Sequence, residues 1–478
     1  MSPKIKNICC IGAGYVGGPS MAVLAYKCPD IKVEVVDLDE DRINKWNDKN
    51  LENLPIFEPG LSKIVSKCRG TNLYFSNLVH EKIKNADMIF ISVNTPTKKT
   101  GLGAGKASDL KWVEACARQV AHFAQGHTIV VEKSTLPVRT AEVINEILQV
   151  SVKSQNNNKT FDVLSNPEFL SEGSAIQDLL NPDRILIGGE KEEAIDSLSD
   201  IYGNWVAPEK ILRTNIWSSE LAKLTANAFL AQRVSSINSI SALCEATGAD
   251  VREVARAIGS DNRIGSKFLD SGPGFGGSCF KKDILNLVYL AEYFGLPEVA
   301  SFWEGVVKLN YWHQHRLSKL VVKKLFGTVS GKKISILGFA FKANTNDTRE
   351  SAAIEICKDL LEEGAILNIY DPKVKTEQIN KELLNESKKP TLNSEESQQF
   401  LKNQIWSTSN DLYKSIDGAD AVLILTEWDE FTKLDWGKVS KIMRKPSWIF
   451  DTRSILNPDD ILSKNLRYWR IGDGSKYI

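Results

Sequence analysis

The sequence predicts an α/β protein with two Rossmann-like, doubly wound domains joined by a long central helical connector. A βαβ rhythm fills the first part of the chain, a proline-free helical stretch follows it, and the βαβ rhythm then returns. The 478 residues are enough for several domains. We therefore expect a nucleotide-binding domain at 1–214, a helical domain at 215–327 and a second α/β domain at 328–478.

Short apolar runs predict the strands of the first domain. Amphipathic or polar stretches separate these runs, which is typical of a mainly parallel sheet. The predicted strands are 7–11, 33–37, 88–93, 129–132, 162–164 and 185–187. The polar segment 151–160, with three consecutive asparagines, predicts a surface loop.

The central segment 218–258 contains no proline, and its apolar residues recur at helical spacing. Ser218 or Ser219 is the expected N-cap, and Gly248 marks a break before a second helix. A further helix is predicted over 298–326. This region therefore predicts an all-α connector.

After Gly331 the pattern of short apolar runs returns. Strands are predicted at 333–337, 367–370, 421–425 and 448–450. A helix is predicted over 350–363, with Gly364 at its end. The polar segment 374–410 predicts an exposed insertion.

Composition excludes several classes of function. Lys and Arg together number 60, as do Asp and Glu, and this lack of basic excess argues against nucleic-acid binding. No 18-residue apolar window is present, so we expect no membrane span. The eight cysteines have no regular spacing, no CxxC pair and no secretory signal before them. We expect a cytoplasmic protein with reduced thiols and no metal site.

A glycine-rich sequence follows the first predicted strand and opens a helix. Gly12, Gly14 and Gly17 have the GxGxxG spacing, which allows a tight turn, a close pyrophosphate and close helix packing. Asp37 ends the next strand, 20 residues past Gly17, where a carboxylate accepts hydrogen bonds from a ribose 2′-hydroxyl. The pattern predicts NAD in preference to NADP, although Arg42 weakens the exclusion of a 2′-phosphate. An unrelated glycine turn is the alternative.

Polar residues follow three more predicted strands, at the sheet edge where ligands of open α/β sheets bind. They are Asn94, Thr95, Ser134, Thr135, Asn166 and Glu168. For each one taken alone, ordinary turn chemistry explains the residue equally well.

The segment 271–280, SGPGFGGSCF, has four glycines within six residues, so its backbone amides can face a ligand closely. A helical pattern starting near Ser278 places Cys279 in the first turn, where the helix dipole stabilises a thiolate. Asp283 lies one turn further on the same face. Cys279 is therefore a candidate nucleophile, with an inert core cysteine as the alternative.

Lys223 and Asn227 lie one helical turn apart in the connector. From the pattern alone, a solvated surface lysine is the favoured interpretation of Lys223.

Four segments resemble the UDP-glucose/GDP-mannose dehydrogenase family. They are IGAGYVG at 11–17, SNPEFL at 165–170, GFGGSCF at 274–280 and GFAFK at 338–342. The resemblance implies four-electron oxidation of UDP-glucose to UDP-glucuronate, with two NAD and one water consumed. The product would supply glucuronate for polysaccharides and glycosaminoglycans.

The resemblance implies a set of catalytic residues, namely Cys279, Lys223, Asp283, Glu168, Thr135 and Asn227. Cys279 would form a thiohemiacetal and then a thioester. Lys223 and Asp283 would handle the proton and charge of the C6 oxygen, and Glu168 would serve the base and hydrolysis steps. The remaining two residues would position water and substrate.

The resemblance also implies two sets of binding residues and no metal ligand. The residues expected to bind NAD are Gly12, Gly14, Tyr15, Val16, Gly17, Asp37, Arg42, Val93, Asn94, Thr95, Ser134, Thr135, Glu168 and Arg349. Those expected to bind the UDP-sugar are Glu168, Phe169, Leu170, Lys223, Asn227, Arg263, Phe268, Phe275, Gly276, Phe341, Lys342 and Arg453.

Two alternatives stay open at this point. One is a sister enzyme that oxidises another nucleotide sugar, such as UDP-N-acetylmannosamine or GDP-mannose. The other is a catalytically silent protein that binds NAD and UDP-sugar. The expected partners are UDP-glucose, UDP-glucuronate and further copies of the chain, as a dimer or hexamer, with no nucleic acid and no membrane.

Overall fold

The computed structural model describes residues 4–135, 137–155, 159–384 and 406–475. The chain forms two compact units. Unit 1 comprises Met1–Ala226 and Leu285–Ala300, and unit 2 comprises Asn227–Ile284 and Ser301–Ile478. The three predicted domain boundaries stay a prediction.

Unit 1 is built on an eight-stranded sheet whose order is β3-β2-β1-β4-β5-β6-β7-β8. Its strands are β1 Asn7–Ile11, β2 Lys32–Val36, β3 Leu73–Ser76, β4 Met88–Ile91, β5 His127–Glu132, β6 Thr160–Ser165, β7 Ile185–Gly188 and β8 Ile211–Thr214. Neighbours are parallel except β6 and β7, which meet antiparallel at Ser165 and Gly188. This arrangement confirms the predicted doubly wound sheet.

Helices cover both faces of this sheet. They are α1 Gly17–Lys27, α2 Glu40–Asn47, α3 Leu61–Cys68, α4 Val79–Lys84, α5 Lys111–Phe123, α6 Thr140–Gln155, α7 Ala175–Leu180 and α8 Glu192–Tyr202, with 3₁₀ turns at Leu51–Asn53 and Pro208–Lys210. Alternate residues of β1 serve the two faces: Cys10 packs in the core under α1 and α8, and Cys9 in the core under α5 and α6.

The predicted loop at 151–160 is wrong in its first half, because α6 continues to Gln155. Ile144 and Leu148 are buried, and Val152 packs against the same core, so the helical apolar spacing extends beyond residue 150. Residues 156–158 lie outside the described part of the chain.

Four long or connecting helices follow: α9 Ile216–Thr247, α10 Val251–Gly259, α11 Phe280–Tyr293 and α12 Pro297–Lys324. The prediction of Ser218 or Ser219 as the N-cap is wrong, because both residues lie inside α9. Asn215 is the cap, because its side-chain oxygen accepts a 2.8 Å hydrogen bond from the Ser218 amide. Gly248 ends α9 with a φ of 88°, which confirms the predicted break.

Unit 2 contains a parallel six-stranded sheet of order β11-β10-β9-β12-β13-β14. Its strands are β9 Lys333–Leu337, β10 Ile366–Tyr370, β11 Trp406–Thr408, β12 Ala421–Ile424, β13 Trp448–Asp451 and β14 Arg467–Arg470. Its helices are α13 Ala352–Glu362, α14 Thr376–Leu383, α15 Leu412–Ile416, α16 Asp429–Thr432, α17 Trp436–Ile442 and α18 Pro458–Leu462.

The segment 374–410 is not a simple exposed insertion in its described parts. It contributes α14, whose Ile379 and Leu383 are buried, and the edge strand β11. Residues 385–405 lie outside the described part of the chain.

Candidate active site

The first glycine loop of unit 1 joins β1 to α1 through backbone positions that only glycine tolerates. Gly12 has a φ of 112°, and a Cβ there would collide with the Ser92 carbonyl oxygen. A Cβ at Gly17 would collide with the Gly12 carbonyl. In contrast, a Cβ at Gly14 would have no neighbour within 4 Å. The turn therefore leaves open space beside Gly14, next to the half-buried Tyr15 and Val16.

Asp37 follows β2 and locks this loop. Its Oδ2 accepts hydrogen bonds from the Ala13 amide (2.8 Å) and the Arg42 guanidinium (2.9 Å), and its Oδ1 accepts from the Asp39 amide. Arg42 also pairs with Asp39 at 3.2 Å. Two carboxylates thus already occupy the guanidinium of Arg42, which reduces its capacity to hold a 2′-phosphate.

The loops after β4 and β5 are joined by side-chain hydrogen bonds. Thr95 Oγ1 donates to the Thr135 carbonyl (3.0 Å), and Ser134 Oγ donates to the Val93 carbonyl (2.7 Å). Asn94 is exposed beside them. The structure therefore brings the predicted residues of these two strand ends together at the carboxyl edge of the sheet, where ligands of such sheets bind.

Glu168 is held in one position by charge and by backbone amides. Its Oε2 lies 2.9 Å from Lys133 Nζ, and its Oε1 accepts hydrogen bonds from the amides of Phe169 (2.8 Å) and Leu170 (3.1 Å). Burial raises the pKa of the Glu168 carboxyl, but Lys133, the Phe169 amide and Lys223 outweigh burial, and the pKa lies below its usual value. Glu168 is therefore a carboxylate in this site.

Lys223 on α9 is buried, with 6% of its surface exposed, so the solvated-surface interpretation is wrong. Its Nζ lies 5.1 Å from the centre of the Phe169 ring, and the Arg184 guanidinium lies 3.9 Å from the same ring centre. Unit 1 thus places Lys223 close to Phe169, the neighbour of Glu168. The spacing of apolar residues along the sequence does not tell whether a lysine side chain such as that of Lys223 is buried or exposed.

Cys279 in unit 2 is exposed, and it directly precedes α11 instead of lying in its first turn. Its carbonyl accepts the hydrogen bond of the Asp283 amide at 2.8 Å, so Cys279 caps the helix. Its Sγ lies 3.4 Å from Ser278 Oγ. Asp283 is buried, and its Oδ2 accepts a 2.6 Å hydrogen bond from Asn227 Nδ2.

The other seven cysteines are buried. Burial raises the pKa of several of their thiols, to about 11 for Cys28 and about 12 for Cys116. Among the cysteines, which all lie in described residues, Cys279 is the exposed one. A thiolate nucleophile needs that access.

The second glycine loop is clamped by three connector side chains that sequence reasoning missed. The Gly272 amide donates to Asn238 Oδ1 (2.9 Å), and His313 Nε2 lies 2.9 Å from the Gly272 carbonyl. Asn310 bonds both the amide and the carbonyl of Phe275, at 2.9 and 3.1 Å. Burial, with Arg316 nearby, lowers the pKa of His313 to about 3, so His313 is neutral. No motif marks these residues, because their role comes from tertiary packing.

The loop between β9 and α13 packs against the second glycine loop. The Gly277 amide donates to the Arg349 carbonyl at 2.8 Å, and a Cβ at Gly276 would lie 3.0 Å from Phe341 Cβ. Arg453 Nη2 donates to the Phe341 carbonyl (3.0 Å), and its Nη1 would lie 3.2 Å from a Cβ at Gly272.

Unit 2 thus gathers five of the predicted UDP-sugar residues: Phe275, Gly276, Phe341, Lys342 and Arg453. Two other predicted UDP-sugar residues, Arg263 and Phe268, and the predicted NAD residue Arg349 do not have side chains gathered in this way. Arg263 has a side chain that is 90% exposed and paired with Asp261. Phe268 is exposed, and the guanidinium of Arg349 pairs with Asp347.

Neither a membrane-spanning helix nor a cluster of metal-binding side chains is found in the described part of the chain. Across residues 4–135, 137–155, 159–384 and 406–475, each helix is too short or too polar to cross a membrane. Over the same ranges, no three His, Cys, Asp or Glu side chains form a group that could hold a metal ion.

Comparison with known proteins gives one consistent result. Three models of the UDP-glucose/GDP-mannose dehydrogenase family match: the NAD binding domain at 6–206, the central domain at 217–312 and the UDP binding domain at 335–458. UDP-glucose 6-dehydrogenase of Bos taurus is 56% identical over 458 residues, covering 95% of this chain and 90% of the relative. The Drosophila melanogaster enzyme is 54% identical, covering 98% and 96%.

A solved structure agrees with these relatives. The UDP-glucose dehydrogenase of the archaeon Pyrobaculum islandicum superposes with a TM-score of 0.81 at 29% identity, covering 99% of each chain.

Proposed function

This chain belongs to the UDP-glucose/GDP-mannose dehydrogenase family, and we propose that it converts UDP-glucose to UDP-glucuronate through a thioester on Cys279. It is an NAD-dependent oxidoreductase. The observation that carries the proposed mechanism is the exposed thiol of Cys279 at the end of a clamped glycine loop, in a chain whose other thiols are buried.

The residues around the first glycine loop fit NAD. The open space at Gly14 suits a pyrophosphate, the N-terminus of α1, whose N-cap Val16 makes no side-chain capping bond, attracts an anion, and Asp37 suits a ribose. Asn94, Thr95 and Ser134 would border the nicotinamide end. NAD, when bound, accepts the hydride that leaves C6 in each of the two oxidations.

In the first oxidation the C6 hydroxyl loses a proton as the carbon becomes an aldehyde. We assign the buried ammonium of Lys223 to stabilise the negative charge that develops on the C6 oxygen. Asp283 and Asn227 form a hydrogen-bonded pair that we assign to the proton of that oxygen and to its position. Phe275, Phe341, Lys342 and Arg453 would hold the UDP-sugar.

In the second oxidation the thiol of Cys279 adds to the aldehyde carbon and loses its proton, which gives a thiohemiacetal. Loss of hydride from that carbon and of the proton from its hydroxyl group then gives a thioester. Water attacks the thioester carbonyl, the carbon–sulfur bond breaks, and the carboxylate leaves with the thiol restored. We assign Glu168 and Thr135 to hold and activate this water.

NADH stoichiometry tests the proposal. With UDP-glucose limiting, the wild-type protein is expected to form two NADH per UDP-glucose. Cys279→Ala is expected to form no UDP-glucuronate, while the matched variant Cys68→Ala, a buried thiol, retains the stoichiometry of two. One NADH per sugar, or full acid formation by Cys279→Ala, contradicts the thioester route.

The same assay separates the family's substrates. We expect kcat/KM to be highest with UDP-glucose when UDP-N-acetylmannosamine and GDP-mannose are compared with it. A preference for either of those sugars would contradict UDP-glucose as the substrate and leave the proposed thioester chemistry unchanged.

We further propose that the chain self-associates, as a dimer or hexamer, in the cytoplasm. Large apolar side chains exposed on α9 and α12 of unit 2 support self-association, among them Phe229, Leu243 and Phe302. The eight unbridged cysteines support a reducing compartment. A mass of a single chain by light scattering contradicts the first statement, and exclusive recovery in an organelle fraction contradicts the second.

A further inference from the structure

Lys133 is a buried lysine that has no role in the scheme above. It directly follows β5, and only 2% of its side-chain surface is exposed. Its Nζ lies 2.9 Å from Glu168 Oε2, 3.1 Å from Asn166 Oδ1 and 3.2 Å from the Tyr202 hydroxyl. An ammonium carries three N–H donors, so these three acceptors use all of them.

The acceptors themselves are fixed. Tyr202 donates its hydroxyl proton to Asn166 Oδ1 at 2.7 Å, and Asn166 Nδ2 donates to the Leu186 carbonyl at 2.8 Å. Lys133 therefore cannot move away from Glu168 without breaking its hydrogen bonds to Asn166, which follows β6, and to Tyr202 of α8. A buried ion pair contributes little net stability compared with apolar packing, so stability alone is a weak reason for this arrangement.

The charged and titratable groups facing Glu168 are few. They are Lys133 after β5, Lys223 from α9 and Tyr202 from α8, and Ser20 of α1 adds a hydroxyl 3.4 Å from Oε2. Lys133 itself faces Glu168, Tyr202 and the Cys10 thiol of β1. Burial opposes the carboxylate form of Glu168, and Lys133 is the largest influence that favours it.

We propose that Lys133 is a positioning residue that keeps Glu168 ionised and fixed as a hydrogen-bond acceptor in the reaction. A carboxylate held in this way can accept a hydrogen bond from water without first losing a proton of its own. This inference rests on the proposed function, because it assigns Lys133 to the site where Glu168 is expected to act.

The test variant is Lys133→Met, which keeps an unbranched stem and removes the charge. Without Lys133, burial raises the pKa of Glu168, so the acid limb of the kcat profile is expected to move up by about one pH unit or more. At a given pH on that acid limb kcat should fall about tenfold, recover toward the alkaline side, and leave KM for UDP-glucose within about threefold. A structural role alone would lower the amount of active enzyme at every pH and leave the limb in place.

The double variant with Glu168→Gln decides whether Lys133 acts through Glu168. In the Glu168→Gln background, Lys133→Met is expected to change kcat by less than about twofold, because the carboxylate is already gone. An equal loss in both backgrounds overturns the proposal. The control Lys191→Met removes an exposed lysine that pairs with Asp162 in the same unit, and should leave the profile unchanged.

A measurement on the wild type covers the outcome that Lys133→Met does not fold. Infrared difference spectra of wild type against Glu168→Gln at about pH 6 are expected to show a carboxylate band for Glu168. A protonated-carboxyl band at that pH overturns the proposal. The NADH stoichiometry of the wild type tests the proposed function separately, so failure of one is distinguishable from failure of the other.

Discussion

The sheets of units 1 and 2 have the same order for their first six strands, yet their first crossovers differ. In unit 1, five residues (12–16) lie between β1 and α1, and in unit 2, fourteen residues (338–351) lie between β9 and α13. Both crossovers start with a glycine at positive φ, 112° at Gly12 and 94° at Gly338. The short crossover brings a helix N-terminus directly to the edge of the sheet, and the long one supplies side chains such as Phe341 and Lys342.

One aspartate follows the second strand of each crossover and holds the glycine loop. The two aspartates are equivalent in position, but they accept different sets of hydrogen bonds. Asp37 Oδ2 accepts one amide of its glycine loop, from Ala13, and shares its charge with Arg42. Asp371 Oδ2 accepts the amides of Phe339 and Ala340 and the indole of Trp428, and Asp371 Oδ1 accepts two more amides. The carboxylate of Asp371 thus accepts hydrogen bonds from five donors of the protein and is not available to a ligand. This difference helps one topology to serve NAD in unit 1 and a UDP group in unit 2.

The largest effect is expected at the shared glycines. A Cβ at Gly12 would meet Ser92, and one at Gly338 would meet Thr426, each at positive φ. Gly12→Ala and Gly338→Ala should each lower the free energy of unfolding of their unit by about 3 kcal/mol, measured by urea unfolding.

The control for these variants is Gly305→Ala in α12, where a Cβ meets nothing within 4 Å. It should raise stability by up to about 1 kcal/mol. Unchanged stability in Gly338→Ala would break the equivalence of the two crossovers.

A smaller effect is expected when the locking aspartates are changed to asparagine. Asp371→Asn places an amide NH₂ among five donors and should cost unit 2 about 1–3 kcal/mol, with NAD affinity unchanged. Asp37→Asn should instead weaken NAD binding and cost less stability. Hydrogen exchange of β9 amides and NAD titration measure the two outcomes, and the reverse assignment would contradict the comparison.

Gly14 gives an effect confined to ligand binding. A Cβ there touches no protein atom within 4 Å, so Gly14→Ala should fold with unchanged unfolding midpoint. The methyl group would occupy the space assigned to the pyrophosphate and weaken NAD binding about tenfold, or about 1.4 kcal/mol, in a calorimetric titration. Unchanged affinity would place the pyrophosphate elsewhere.

How far the sequence predicts this fold depends on where each strand lies. The ten predicted strands all exist, and the four further strands among the described residues, β3, β8, β11 and β14, are the edge strands of the two sheets. A central strand is covered on both faces and shows a continuous apolar run, whereas an edge strand does not. β14 begins and ends with arginine, and Arg470 is buried because it pairs with Asp250 and Asp473.

The candidate site follows the same rule. The glycine loops and Cys279 carry local patterns that the sequence displays. Lys133, Asn310 and His313 become site residues only through partners far away in the chain, such as Glu168 and Phe275. Their position depends on the assembled core, which no spacing rule encodes.

The smallest expected effect concerns carboxyls that end the fifth strand of each sheet. Glu132 lies opposite Ile91 at the end of β5, and Asp451 lies opposite Ile424 at the end of β13. Burial raises the pKa of both, and the Glu220 carboxyl adds to the shift at Glu132, whereas the Leu456 and Arg453 amides and the Tyr468 hydroxyl moderate it at Asp451.

The sign of the pH dependence follows from these raised values. Above the unfolded pKa of about 4 the native state binds the extra proton, so stability falls as pH rises toward the folded pKa. Glu132→Gln should remove more of this decline than Asp451→Asn, each by at most about 1.4 kcal/mol per pH unit, in urea unfolding at a series of pH values. The slope of the free energy of unfolding against pH is the quantity to compare. A lost hydrogen bond lowers that free energy equally at every pH and leaves the slope unchanged. Equal slopes in wild type and Glu132→Gln would mean that Glu132 and Glu220 are both ionised in the native state.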